Sequence, residues 1–315
     1  MYDKKQVLYF ILIFVGVYAI YKMYVNKRTD LFNYKSKYIA SRSYYSACDH
    51  HITFAVSEST DVPNTYPMRD GETIYINTTA IPNFVTYYLP HIENKFVLVS
   101  GDTDATIPDD YKSDVETILN NKYLLKWYAQ NSRKVTDKLI QLPIGLDIHT
   151  LLISSKWGKI QSIEEQEESI DRIKGMNVIK QNKCYSNFHF GMKGRYTYDR
   201  KDAVDQIPKD LIFYEPKPVS RIESWENMIK YKYVVSPFGN GLDCHRTWEA
   251  IILGCIPIVK KSDLDSMYDG LPVLIVNNWS DITQNLLNNF KPDYKNIEKI
   301  YMKYWINKFN EFKLN

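Results

Sequence analysis

Residues 230–261 read KYKYVVSPFGNGLDCHRTWEAIILGCIPIVKK. The apolar, β-branched run at 231–236 predicts a buried strand that ends at a Pro-Phe-Gly-Asn-Gly turn. A helix should follow this turn, with Asp243 as its N-cap and Gly254 as the left-handed residue that closes it. Residues 256–259 predict a second buried strand. Strand, glycine-rich loop, helix and strand make up one βαβ unit, and such a unit implies a parallel sheet.

The predicted helix has an apolar face and a polar flank. The apolar face has the i, i+3, i+4, i+7 spacing of residues that pack on a sheet, and consists of Trp248, Ile251, Ile252 and Cys255. His245 and Arg246 fall in the first turn, where free backbone N–H groups and the helix dipole favour an anion such as a diphosphate. Glu249, one turn further along, is placed to accept hydrogen bonds from ribose hydroxyls.

The loop before this helix contains Gly239, Asn240 and Gly241, and its two glycines would let the backbone approach the phosphates. The pattern is neither the GxGxxG of dinucleotide-binding folds nor a P-loop, so its spacing alone does not identify a nucleotide site. The alternative is a tight turn before a packed helix, with Arg246 and Glu249 as a surface ion pair. Both interpretations stay open on the residues alone.

The segment SPFGNGLDCHRTWEAIILGCIPIV resembles the C-terminal motif of exostosin-like glycosyltransferases over residues 231–259, and more weakly over 183–229. The resemblance implies a GT-B-like α/β fold, in which two Rossmann-like domains face a cleft and the C-terminal one holds a nucleotide sugar. It implies that Arg246 stabilises charge on the departing diphosphate, and that Arg200 or Arg195 approaches the phosphates. His245 departs from the family pattern.

The resemblance also implies the substrates. The donor would be a nucleotide sugar such as a UDP-sugar, and the acceptor a glycan, glycoprotein or lipid. No cofactor would be required, and Mn²⁺ or Mg²⁺ is a disfavoured alternative.

The composition limits the classes of protein to which the chain can belong. Its 315 residues, 44% hydrophobic and 24% charged, suit two domains of modest size. A net charge of +3 with scattered lysines argues against nucleic acid as a partner. The 4 cysteines are too few for a disulfide framework in a chain of this length, and no CxxC or His/Cys cluster indicates zinc.

The N-terminus predicts a membrane anchor. Residues 6–25 are largely apolar and have about the length that spans a bilayer, so residues 1–25 should be a short tail and a transmembrane helix. No small-x-small cleavage site follows, which disfavours a signal peptide. Basic residues beyond the anchor favour a cytosolic main domain. The layout resembles Golgi glycosyltransferases instead, and we expect a single-pass protein with its C-terminal domain in the Golgi or ER lumen.

The remaining chain alternates between strand and helix patterns. We expect residues 26–50 to be a polar stem and 51–150 an N-terminal, acceptor-side Rossmann-like domain. A helical linker is expected at 151–175 and a C-terminal nucleotide-sugar domain at 176–290. Residues 291–315 have the spacing of an amphipathic helix that packs back on the first domain.

The sequence Gly101-Asp102-Thr103-Asp104 follows a predicted strand, so its carboxylates emerge where ligands of α/β folds bind. Three alternatives remain: an acidic turn, a catalytic base or acceptor contact, and a Mg²⁺ or Mn²⁺ site as in GT-A transferases. An inverting reaction needs a general base, for which Asp102 or Asp104 is the prediction. Asp147 and His149 are further candidates for contact with the acceptor.

The sequence as a whole predicts a membrane-anchored glycosyltransferase. One alternative is a metal-dependent GT-A transferase that uses Asp102 and Asp104. The other is a non-catalytic, membrane-tethered glycan-binding protein, which would bind no nucleotide.

Overall fold

The computed structural model describes residues 34–52, 68–191 and 194–313. It is a mixed α/β protein with two 5-stranded sheets, and every paired strand in them is parallel to its neighbours. The predicted α/β class with two parallel sheets is therefore confirmed, and it is compatible with two Rossmann-like domains. The predicted transmembrane helix lies outside the described residues, and none of the described helices is long and apolar enough to cross a membrane.

The first sheet has its strands in chain order. They are β1 (His50–Ile52), β2 (Glu72–Asn77), β3 (Phe96–Gly101), β4 (Leu124–Ala129) and β5 (Leu139–Gln141). All residues of β3 are buried, with Val97 and Val99 in one apolar cluster and Phe96 and Leu98 in another. A parallel strand that is covered on both faces is apolar throughout, which is why FVLVS is recognisable in the sequence.

Helical segments connect these strands. One α-helical turn (Ile81–Asn83) continues as a π-helical stretch (Phe84–Tyr88) and a 3₁₀ turn (Leu89–His91), where the sequence predicts a single helix over 81–92. Prolines within the segment explain the irregularity, because a proline supplies no N–H to the helical ladder. Helix α1 (Lys112–Leu119) precedes β4.

The second sheet has the order β10-β9-β8-β6-β7. Its strands are β6 (Gln181–Ser186), β7 (Ile212–Tyr214), β8 (Tyr231–Val235), β9 (Ile256–Lys260) and β10 (Leu274–Val276). The chain leaves β6 toward one edge and returns at β8 on its other side. This reversal is a topological switch point, and open α/β sheets bind ligands outside the carboxyl ends of the strands at such a point.

The second half of the chain has seven α-helices among the described residues, of which the last packs on the first sheet, with Phe309 5.0 Å from Tyr128 of β4 between ring centroids. These helices are α2 (His149–Ile153), α3 (Ile163–Lys174), α4 (Tyr198–Gln206), α5 (Arg221–Met228), α6 (His245–Ile252), α7 (Gln284–Asn289) and α8 (Met302–Asn310). The helix predicted after the glycine-rich loop is α6. The linker predicted as helical over 151–175 is interrupted at 154–162, between α2 and α3.

The start of α6 differs from the prediction. Its N-cap residue is Cys244, with no side-chain cap. The Asp243 carboxylate instead accepts hydrogen bonds from the Ile144 backbone N–H at 2.7 Å and from the Trp248 indole at 2.9 Å. Asp243 therefore ties α6 to the loop that leaves the first domain.

The end of α6 follows the prediction. Gly254 has φ +73°, and its N–H donates to the carbonyl of Ile251 at 3.0 Å. The N–H of Cys255 reaches the carbonyl of Ala250 at 2.8 Å. This pair of bonds is a Schellman motif, which needs a left-handed residue that glycine adopts without strain.

The segment at 34–48 is packed against the protein, which differs from the polar stem predicted for residues 26–50. Tyr38 and Tyr44 are 1% and 0% exposed. Tyr44 lies 6.1 Å from Phe309 of α8, ring centroid to centroid. Tyrosine carries a large apolar ring behind its hydroxyl, so a tyrosine-rich segment can be buried although its composition resembles a linker.

Candidate functional site

Loops from the two sheets meet beside a cavity of about 190 Å³. His245 Nδ1 donates to the carbonyl of Gly145 at 2.7 Å, since the carbonyl can only accept. Arg221 pairs with Asp147 at 2.8 Å between Nη2 and Oδ2. Asp147, Arg221 and His245 all line the cavity. The site therefore lies where the second domain touches the loop that follows β5.

Arg246 is the central charged group of this cavity. Its Nε donates to Asn187 Oδ1 at 2.7 Å, and its guanidinium lies 5.5 Å from the ring centroid of Phe188. Its Nη1 is buried, and no acceptor for it is found among the described residues. Burial lowers the pKa of Arg246, but an arginine stays charged near neutral pH. A buried donor without an acceptor is unfavourable, so the position favours an anionic ligand.

A second buried arginine lies close by. Arg200 is 5% exposed and donates from Nε to the carbonyl of Phe238 at 3.1 Å and from Nη1 to that of His189 at 2.6 Å. These bonds join the loops that follow β6 and β8. Burial and the charge of Arg246 lower the pKa of Arg200 to about 10. No described carboxylate lies within ion-pair distance of either arginine, although the charge of Glu249 acts on Arg246 and that of Asp199 acts on Arg200 from further away.

Glu249 lines the same cavity, one helical turn after Arg246. The surface ion pair considered for these two residues does not form, since their charged groups are not within 4.0 Å. The Glu249 carboxylate has no hydrogen-bond partner among the described residues, which leaves both of its oxygens able to accept. Its role toward a ribose stays a prediction.

The glycine-rich loop packs against the first domain. Gly239 and Gly241 are buried, and a Cβ on Gly241 would lie 3.0 Å from Asn131 Nδ2. Asn131 Oδ1 also accepts the backbone N–H of Asp243 at 2.9 Å. Gly241 thus permits the close approach of the domains. Asn240 is half-buried, and the predicted contact of this loop with phosphates stays a prediction.

The two aspartates after β3 have different surroundings. Both Asp102 carboxylate oxygens accept from Arg42 Nε, at 3.0 and 3.1 Å. Asp104 is exposed. Burial raises the pKa of the Cys244 thiol to about 11, and the charges of Asp243 and Asp104 contribute to this rise. Within the described residues no group of three or more His, Cys, Asp or Glu side chains could hold a metal ion.

Asp147 and His149 form a pair on the first-domain side of the cavity. Asp147 Oδ1 lies 3.2 Å from His149 Nδ1. Burial alone would raise the pKa of Asp147, but Arg221, His245 and His149 hold it well below its usual range. Burial lowers the pKa of His149 to about 4, so its ring is neutral at pH 7. The predicted contact of this pair with an acceptor stays a prediction.

The predicted Arg195 is not in the cavity. Its side chain is about half exposed and pairs with Asp110 of the first domain. This contact joins the two domains at the surface. Of the two arginines considered for the phosphates, Arg200 is therefore the one that lies near Arg246.

Seven of the residues that line the cavity are not among the predicted site residues: Trp157, Asn187, His189, Val219, Arg221, Ser224 and Trp225. Asn187 directly follows β6, which ends at Ser186. Trp157 lies in the predicted linker, and Trp225 lies on α5. The position of Asn187 just after a buried parallel strand is the signal that could have identified it.

The chain was also compared with known proteins. No protein-family model matches it, and no curated protein matches it.

Proposed function

We propose that the protein is a membrane-anchored glycosyltransferase of the exostosin-like, GT-B type. It transfers a sugar from a nucleotide-diphosphate donor, such as a UDP-sugar, to a glycan, glycoprotein or lipid acceptor. The observation that supports this most is Arg246 at the N-terminus of α6, whose buried Nη1 has no acceptor in the part of the chain that the structure describes. This helix follows β8 at the switch point of a parallel sheet, where a diphosphate is a suitable ligand.

The proposed chemistry is electrostatic. When the bond between the anomeric carbon and the diphosphate oxygen breaks, the negative charge on the leaving diphosphate increases. Arg246 and the free N–H groups of the first turn of α6 would stabilise that charge without rearranging. Arg200 adds positive potential, and Glu249 would accept hydrogen bonds from the ribose hydroxyls.

The proton of the acceptor hydroxyl must also be removed if the reaction inverts the anomeric configuration. Asp104 is exposed, whereas Asp102 is bonded to Arg42, and neither lines the cavity. Of the two predicted bases, Asp104 is therefore the one whose carboxylate is in no ion pair among the described residues. His245 Nε2 remains available to a ligand because Nδ1 is held by Gly145.

The test is nucleotide binding by the purified full-length protein. Thermal shifts would be recorded with UDP, GDP and CMP sugars, each with Mn²⁺ and with EDTA. We expect one nucleotide to stabilise the protein, and Arg246→Ala to weaken its binding by about 10- to 100-fold, because hydrogen bonds to charged groups contribute about 1.5–3 kcal/mol. The control is Arg172→Ala, which removes an exposed arginine paired with Glu226 outside the cavity.

Two results would count against the proposal. If no nucleotide stabilises the folded protein, the transferase is excluded and a glycan-binding protein is favoured. If binding requires Mn²⁺, the centre of the site moves to Asp102 and Asp104.

A further inference from the structure

Two tryptophans line one side of the cavity, and neither takes part in the chemistry proposed above. Trp157, from the segment between α2 and α3, lines it together with Trp225 of α5. Trp157 is half-buried, and its backbone carbonyl accepts the N–H of Arg221 at 2.7 Å. This bond fixes the backbone at Trp157 relative to the start of α5. The indole stacks on the ring of His189, which also lines the cavity, at 6.2 Å between ring centroids, so it offers a flat surface in the same cavity as Arg246.

Trp225 supplies a second donor without an acceptor. The residue is 2% exposed, and its Nε1 is buried with no hydrogen-bond partner among the described residues. Buried indole N–H groups usually have a partner. The cavity is thus lined by two residues with orphaned buried donors, on Arg246 and on Trp225. Each donor requires an oxygen or nitrogen acceptor that the described residues do not provide.

The donors of the cavity are linked through Asn187. Its Oδ1 accepts from Arg246 Nε at 2.7 Å, and its Nδ2 donates to Ser224 Oγ at 2.5 Å. Ser224 directly precedes Trp225 on α5. The anion-binding end and the aromatic end of the cavity therefore belong to one connected site.

We propose that Trp157 and Trp225 form the nucleobase subsite of the donor. The base stacks on Trp157, and a carbonyl oxygen of the base accepts from Trp225 Nε1. This inference rests on the proposed function, because it assumes that the anion at Arg246 is the diphosphate of a nucleotide. A single ligand with a diphosphate, a ribose diol and a flat ring with a carbonyl would satisfy Arg246, Glu249 and both tryptophans. Uracil has such a carbonyl, whereas adenine has none.

The test compares UDP, ADP and inorganic pyrophosphate by calorimetric titration of the full-length protein. Stacking on an aromatic side chain is sequence-tolerant and strengthens binding by about tenfold or more per base. We expect UDP to bind about 10- to 100-fold more tightly than pyrophosphate. Trp157→Ala should remove most of that advantage and leave pyrophosphate affinity within about twofold, and Trp157→Phe should retain part of it.

Trp225→Phe tests the hydrogen bond. It keeps an aromatic ring but removes the N–H, so we expect the preference for UDP over ADP to fall toward one. Its pyrophosphate affinity and thermal midpoint show whether the variant is folded. Tyr294→Ala is the control for the loss of an exposed aromatic ring, since Tyr294 is 51% exposed and does not line the cavity.

The outcomes separate the two proposals. Pyrophosphate binding without a UDP advantage, or UDP binding that Trp157→Ala leaves unchanged, overturns the nucleobase subsite and leaves the anion site intact. A folded protein that binds neither UDP nor pyrophosphate overturns the proposed function and this subsite with it.

Discussion

At the carboxyl ends of the first sheet, Asp102 is bonded to Arg42 and Asp147 to Arg221. At the carboxyl ends of the second sheet, Arg246 and Arg200 have no described carboxylate as an ion-pair partner. The strand orders also differ. The strands of the first sheet follow chain order, whereas in the second sheet the chain changes its direction across the sheet between β6 and β8. Both edges belong to parallel α/β sheets and both contribute residues to the cavity, but only the second supplies arginines that have no ion-pair partner among the described residues.

The largest expected change in stability comes from replacing Arg221, the cavity arginine that is paired with a carboxylate. Arg221 and Asp147 are 8% and 12% exposed, so Arg221→Met would leave a nearly buried carboxylate without its partner. We expect a loss of about 3 kcal/mol in the free energy of unfolding, measured by urea denaturation.

The matched variant is Arg246→Met, which removes no ion pair. We expect its unfolding free energy to stay within about 1 kcal/mol of the wild type, because the repulsion from Arg200 is relieved as packing is lost. If both substitutions lowered the free energy of unfolding equally, the two sheet edges would not differ in how much their arginines contribute to stability.

The pH dependence of stability provides the next comparison. His149 has a pKa of about 4 in the folded protein and about 6.5 when unfolded. Between these values the unfolded chain binds a proton that the folded protein does not. The contribution of neutral His149 is therefore present above about pH 6.5 and is lost as the pH falls toward 4. His149→Asn should flatten this part of the curve by up to about 3 kcal/mol.

The measurement is urea denaturation of wild type and His149→Asn between pH 4 and 7. One stability curve is subtracted from the other because Asp243 also titrates in this pH range. Burial raises the pKa of Asp243 to about 6. Asp243 is protonated in the folded protein within this range, so its contribution falls as the pH rises and opposes that of His149. Parallel curves for the two proteins would show that His149 titrates normally.

The smallest expected effect concerns the ion pair of Asp102. Its side chain and that of Arg42 are 21% and 30% exposed, so water screens much of the attraction. We expect Asp102→Asn to change the unfolding free energy by less than about 1 kcal/mol. A loss of several kcal/mol in chemical denaturation would mean that this edge depends on the pair far more than its exposure suggests.

The sequence predicted the parts of the fold that repeat a local pattern. The strands β2, β3, β4 and β8 and the end of α6 are found where apolar runs and Gly254 place them. β7 was missed, because three residues offer too little periodicity for a prediction. The packed segment around Tyr38 and Tyr44 was missed because these rings pack on residues far away in the sequence, Tyr38 on Tyr301 and Tyr44 on Phe309 of α8.

For the candidate site, the sequence alone identified His245, Arg246 and Glu249, since spacing on one helix determines which side chains share a flank. Only the tertiary structure brought Asn187, Trp157 and Trp225 to the same cavity. The tertiary structure also decided which charges are paired, because Asp102 and Asp147 pair with arginines that are 60 and 74 residues away in the sequence. Local spacing is set by helix geometry, whereas contacts across such separations depend on how the two sheets are placed.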